Sequence, residues 1–211
     1  MSQSESYPTL SWDRNADRGK VLVVVSFLVS GILAAGALIV TAGDGAQAAR
    51  ELVTRFSSLL FVCYLLAAPL ARIVPARPLS SLALMGGNLR LAFVAAFVFS
   101  LACILMPAAV AGEALSASAV LYIALNGAVL LIMLFPASRT AKLHMGAASW
   151  RAIQLMATAY FWLSFLVSAL LHIVRQNDSP VWHTLMLTLL IIAFGTLIAA
   201  RFCGEGASRH Q

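Results

Sequence analysis

Six long apolar stretches separated by short polar connections set the pattern of this chain, at 21–41, 56–71 with its ends extended, 91–112, 116–135, 152–174 and 181–200. A helix rises about 1.5 Å per residue, so about 20 apolar residues cross a hydrocarbon core of about 30 Å. The pattern therefore predicts an all-α, integral membrane six-helix bundle. The second stretch is the shortest, and it is bracketed by Arg55 and Arg72, whose long side chains can snorkel toward the headgroups. Residues 1–20 form a polar N-terminal segment, 21–202 the transmembrane domain and 203–211 a short tail, with no soluble domain and no internal repeat. The first apolar run exceeds a signal-peptide core of roughly 7 to 15 residues, and acidic Glu5, Asp13 and Asp17 precede it. It is expected to remain as a membrane helix.

Composition agrees with this pattern. Hydrophobic residues make up 61% of the 211 and charged residues 10%, with mean hydropathy +0.91, whereas soluble domains carry about 25% charged residues. The net charge of +6 would suggest nucleic acid in a soluble chain. Here the cations lie between apolar runs, where they set topology instead, and no nucleic-acid partner is expected. One side of the membrane receives Arg14, Arg18, Lys20, Arg72, Arg77, Arg90, Arg139, Lys142, Arg151, Arg201 and Arg209; the other receives Arg50, Arg55 and Arg175. Positive-inside orientation then places both termini and the second and fourth connections in the cytoplasm.

Local signals refine the bundle. The segment IVPARPLSSLALMGGN, with two prolines and a Gly-Gly pair, reads as a turn-rich connection. Gly31 with Ala35, and Ala92 with Ala96, form small-xxx-small steps suited to close helix packing. Trp150 and Trp182 fall at predicted interfaces, where belt aromatics sit. Cys63, Cys103 and Cys203 lack CxxC spacing and read as small buried hydrophobes rather than as a disulfide framework or a zinc site.

Few residues carry chemistry. His144 and His210 lie in polar segments; His172 lies about 31 Å along a helix from Arg151, and His183 opens the sixth run, so no histidine reaches the middle of the bilayer. His172 and His183 flank one short outer connection and can approach as a metal-binding or pH-sensing pair, or stand as two interfacial imidazoles. Asn126, Ser100, Gln154, Ser164 and Ser168 lie within the apolar runs. They either bond helix to helix or, with Asn126, Ser164 and Ser168 together, line a polar cavity. Glu113 stands near the outer end of the third run without a second acid or base to form a proton relay. There is no nucleophile motif and no phosphate-binding glycine loop. Corresponding Gly/Pro-interrupted helices, which point to a transporter, are also missing.

Three stretches together resemble the ferric-reductase-like transmembrane domain, a family that includes the haem-binding membrane subunit of the bacterial periplasmic methionine sulfoxide reductase system. They are SSLLFVCYLLAAPLARIVPARP with its Pro69-Leu70-Ala71-Arg72 ending, NLRLAFVAAFVFSLACIL from Asn88, and LHMGAASWRAIQLMATAYFWLSF with Gly146, Trp150, Tyr160, Trp162 and Phe165. The likeness covers residues 50–202. It implies six helices in a bacterial inner membrane, and haem-ligating histidines at the positions that Phe97, Ser100 and Gln154 occupy here. Phenylalanine has no ligating atom, and neutral Ser and Gln are poor ligands for haem iron, so ligation at these former haem positions is not expected. The resemblance thus implies a haem-free, non-catalytic partner or scaffold subunit, in contact with membrane lipid and with another membrane or periplasmic redox protein. The alternative is an electron-transfer subunit carrying haem b on His172 and His183, or a quinone or flavin held by Gln154 and Asn126.

Overall fold

The computed structural model describes residues 10–40, 45–74, 86–111, 114–134, 146–175 and 180–207. They form six helices, α1 (Leu10–Val40), α2 (Gly45–Ile73), α3 (Gly86–Ala111), α4 (Ala117–Leu134), α5 (Ala147–Val174) and α6 (Pro180–Ala207). No strand occurs among the described residues. Five helices are long and apolar enough to span a membrane: Gln47–Ala71, Gly86–Leu105, Ala117–Leu134, Ala148–Val174 and Val181–Ala200; α1 adds the shorter apolar segment Lys20–Gly36. The chain is a multi-pass membrane protein. The 75–85 connection, Arg77, Glu113, Arg139, Lys142, His144, Arg209 and His210 lie outside the described residues, as do the side chains of Arg14, Arg18, Arg72, Arg201 and Cys203.

The helices close a ring. α2 packs on α3 and α6, α3 on α4, α4 on α5, and α5 on α6, while α1 lies outside, against both α2 and α3. Lipid tails are as apolar as leucine, so a membrane bundle is held by van der Waals contact and interhelical hydrogen bonds rather than by expulsion of water. Accordingly, large apolar side chains such as Leu121, Met156 and Val181 point outward, and small ones sit at the helix crossings. Ala67 of α2 and Ala92 and Ala96 of α3 are fully buried, which lets the two backbones approach closely. Gly31 of α1 faces the Phe99 ring, whose nearest atom would lie 3.8 Å from an added Cβ. Ala35 points outward, and its neighbour Ala34 packs instead with Ala49, Val53 and Cys103.

Helix boundaries differ from the pattern in the sequence: α1 begins at Leu10 rather than 21 and α6 runs to Ala207 rather than 200, and three other starts shift as well. α2 begins at Gly45 rather than near 56, so the predicted shortest helix has 29 residues and carries Arg50, Glu51 and Arg55 on its first turns. This stretch is amphipathic: Ala49 and Val53, one turn apart, are buried, while Glu51 and Arg55 pair at 3.5 Å across one turn. Hydropathy averaged along the chain blurs such a segment into a loop. α3 takes up Gly86 and Gly87, expected as a turn, in its first turn. α5 starts at Ala147, where Gly146 caps it at φ +78° and ψ 150°, a conformation essentially restricted to glycine.

One side chain also departs from expectation: Cys63, expected to be buried, faces outward, while Cys103 is buried. Trp150, in the first turn of α5, is buried against the bundle.

Candidate functional site

The middle of the ring is filled with phenylalanine. Phe61 from α2, Phe93 and Phe97 from α3, and Phe161 from α5 are buried and interlock with Phe165, with Leu130 and Met133 of α4 and Ala193 of α6 closing the cluster. Ring centroids lie 4.9 Å apart for Phe61 and Phe93, 5.1 Å for Phe93 and Phe161, and 5.1 Å for Phe97 and Phe161. The last two pairs are edge to face, at 81° and 72°, the arrangement that the aromatic quadrupole favours. Trp162 ties the neighbouring seam by donating its indole N–H to the Leu190 carbonyl at 3.1 Å.

One turn further along α3 the character changes. Ser100 turns from the aromatic cluster toward Thr54 of α2, with the two hydroxyls 2.6 Å apart. There the ring opens into a cavity of about 740 Å³ to which α2, α3, α4, α5 and α6 all contribute. Its inner part carries Ser58, Ser100, Phe165 and Met186; toward the helix ends it carries Arg50, Glu51, Arg55, His172, Trp182 and His183. From Phe165 to His172 along α5 is about 10 Å, so the cavity reaches about two turns into the bundle.

Hydrogen bonds and ring contacts order these walls. The Ser58 hydroxyl donates to the Arg55 carbonyl at 2.8 Å and also lies 3.7 Å from the Met186 sulfur, joining α2 to α6. The Arg55 guanidinium lies 5.8 Å from the centre of the Trp182 ring, within cation–π range, and 3.5 Å from Glu51. His172 and His183 stack with centroids 4.3 Å apart and planes at 19°. His172 Nδ1 lies 2.8 Å from the Ser168 carbonyl. A carbonyl only accepts, so Nδ1 carries the hydrogen and Nε2 is the ring's remaining polar atom.

The predicted site residues scatter over this frame. Phe97 is in the aromatic cluster and Ser100 lines the cavity. Gln154 is half-buried near the start of α5; its carbonyl accepts the Thr158 hydroxyl at 2.9 Å. The α5 rings that meet Phe97 are those of Phe161 and Phe165, about 10 and 16 Å further along the helix. Asn126 is buried and bonds within its own helix, donating to the Tyr122 carbonyl at 2.8 Å. Ser168 lines the cavity, and with Ser164 it also lines a shallower groove along α5 that ends at Arg175. His172 and His183 do meet, though among the described residues no group of three or more His, Cys, Asp or Glu is placed to hold a metal. Sequence reasoning missed Arg50, Thr54, Arg55 and Tyr122 as cavity residues. The legible signal was the Glu51–Arg55 pair one turn apart, interleaved with Ala49 and Val53.

Comparison with known families, curated proteins and solved structures finds no match for the chain.

Proposed function

We propose that this membrane protein is a haem-free relative of the ferric-reductase-like domain, serving as a non-catalytic partner or scaffold subunit beside another membrane or periplasmic redox protein. Its place is a bacterial inner membrane with both termini cytoplasmic, which the concentration of Lys and Arg on one side supports. The observation that carries the reading is the placement of Phe97. At a position where the resemblance calls for an axial histidine, a ring without a ligating atom is buried in edge-to-face contact with Phe161 and in contact with Phe93. Aromatic packing fills the space between α2, α3 and α5 at that level, as close-packed interiors require.

The residues present do not fit haem b in its other arrangement either. Two axial imidazoles point nitrogens at one iron from opposite faces of the porphyrin. His172 and His183 instead stack face to face, with ring centroids 4.3 Å apart and planes at 19°. Nor do Gln154 and Asn126 converge on a quinone or flavin: neither residue lines the cavity.

The test is an absorption spectrum of the purified protein, oxidised and dithionite-reduced, after expression with ample haem. A visible spectrum without a Soret band from folded protein is expected. A Soret band with sharp reduced α and β bands at near-stoichiometric haem would overturn the proposal. Reporter fusions at each terminus test the orientation; a periplasmic signal at either end would reverse it.

A further inference from the structure

The cavity at the histidine end is a built polar site that the haem-free reading leaves without a use. We propose that it binds a small amphipathic carboxylate entering from the aqueous phase at that end of the bundle, with its carboxylate at Arg50 and Arg55 and its apolar body directed toward Phe165 and Met186.

Four observations support this. The first is size: about 740 Å³ falls within the roughly 300 to 1,000 Å³ of small-molecule pockets. The second is charge: the permanent charges lining the cavity are Arg50, Arg55 and Glu51, a net positive set. Glu51 lies 3.5 Å from Arg55 and offsets part of its charge, whereas Arg50 is exposed and has no ion-pair partner among the described residues. A planar guanidinium offers paired N–H donors that match a carboxylate better than they match a neutral polar group. The third is pre-organisation: Trp182 and Glu51 fix the Arg55 side chain, so less side-chain freedom is lost when an anion binds. The fourth is polarity along the depth. The cations stand toward the helix ends, and inward of them the hydroxyls of Thr54, Ser58 and Ser100 share the lining with the Phe165 ring and the Met186 thioether. A doubly charged metabolite would leave its second charge facing these apolar groups, at a desolvation cost, so the arrangement favours one carboxylate on a compact apolar or aromatic body.

The full-length protein in phosphatidylcholine nanodiscs would be titrated calorimetrically with benzoate and with hexanoate, and with benzyl alcohol as the uncharged counterpart. Saturable one-site binding of at least one carboxylate, without saturable binding of benzyl alcohol, is expected. Arg50→Gln should weaken it by about tenfold. Circular dichroism and gel filtration establish that the variant is folded. The proposal is overturned if neither carboxylate binds saturably to folded protein, if benzyl alcohol binds equally well, or if Arg50→Gln leaves affinity unchanged. A repeat in nanodiscs containing phosphatidylglycerol separates sources of the anion: loss of carboxylate binding there would identify a lipid headgroup as the occupant and overturn the soluble-ligand assignment. A failed titration beside a blank spectrum would overturn the carboxylate assignment alone and leave the haem-free reading standing.

Discussion

The same five helices that close over phenylalanine in the middle of this protein stand apart at the histidine end, and along one turn of α3 Phe97 faces the packing and Ser100 the cavity. Phe97 belongs to a cluster in which rings from three helices fill the interior. Ser100, three residues later, lines a cavity of about 740 Å³. The backbone topology is common to both levels, so the difference comes from side chains. In lipid, an interior space persists only if its walls are polar enough to hold water or a ligand, or if no side chain is large enough to fill it. Phe61, Phe93, Phe97 and Phe161 fill their level; Thr54, Ser58, Ser100 and the charged first turns of α2 keep the other open.

The largest expected effect comes from opening the packed level. Phe97→Ala should destabilise the protein by about 3 to 5 kcal/mol, because it removes a fully packed ring and leaves a void. Ser100→Ala, at the hollow level, should cost about 0.6 kcal/mol, the average for an interhelical hydrogen bond in a membrane protein. Reversible unfolding from mixed micelles measures both, and equal costs would erase the distinction between the levels.

Water access gives the next largest contrast. In a background whose three native cysteines are replaced by alanine, Ser168→Cys should react with a membrane-impermeant thiol reagent at least about tenfold faster than Phe97→Cys, because thiol reactivity requires contact with water and thiolate formation. Comparable rates would mean that the cavity is closed or that the aromatic cluster is wet.

Smaller effects test the seams between the levels. Trp162→Phe keeps an aromatic body and removes the indole hydrogen bond to the Leu190 carbonyl; a loss of about 1 kcal/mol in the same unfolding assay is expected. A loss above about 3 kcal/mol would show that the ring, rather than its N–H, holds α5 to α6. Gly31→Ala should be the mildest, within about 0.5 kcal/mol of the parent, since an added Cβ would meet only the Phe99 ring in ordinary contact at 3.8 Å. A clear destabilisation would mean that α1 approaches α3 more closely than this contact.

The sequence by itself determined the membrane class and the number of helices, because burial of backbone polar groups in lipid leaves so few structures available that apolar run length suffices. It also marked His172 and His183 as neighbours across a short connection, a local relation that survives in the stacked rings. Gly146, picked out by its spacing from Trp150, proved to hold a backbone conformation open only to glycine.

Tertiary structure decided what fills the ring. Phe61, the Phe93–Phe97 pair and Phe161 come from three stretches far apart in the chain and look alike in hydropathy to the outward-facing Phe27 and Phe194, so no periodicity announces that the three helices meet through them. A membrane helix need not separate an apolar face from a polar one, because lipid and protein interior are equally apolar. The cavity was hidden for the opposite reason: Arg50, Glu51 and Arg55 look like the end of a span when hydropathy is averaged, and only the packing of Ala49 and Val53 against α1 and α3 carries the helix through them and turns their side chains toward His172 and His183.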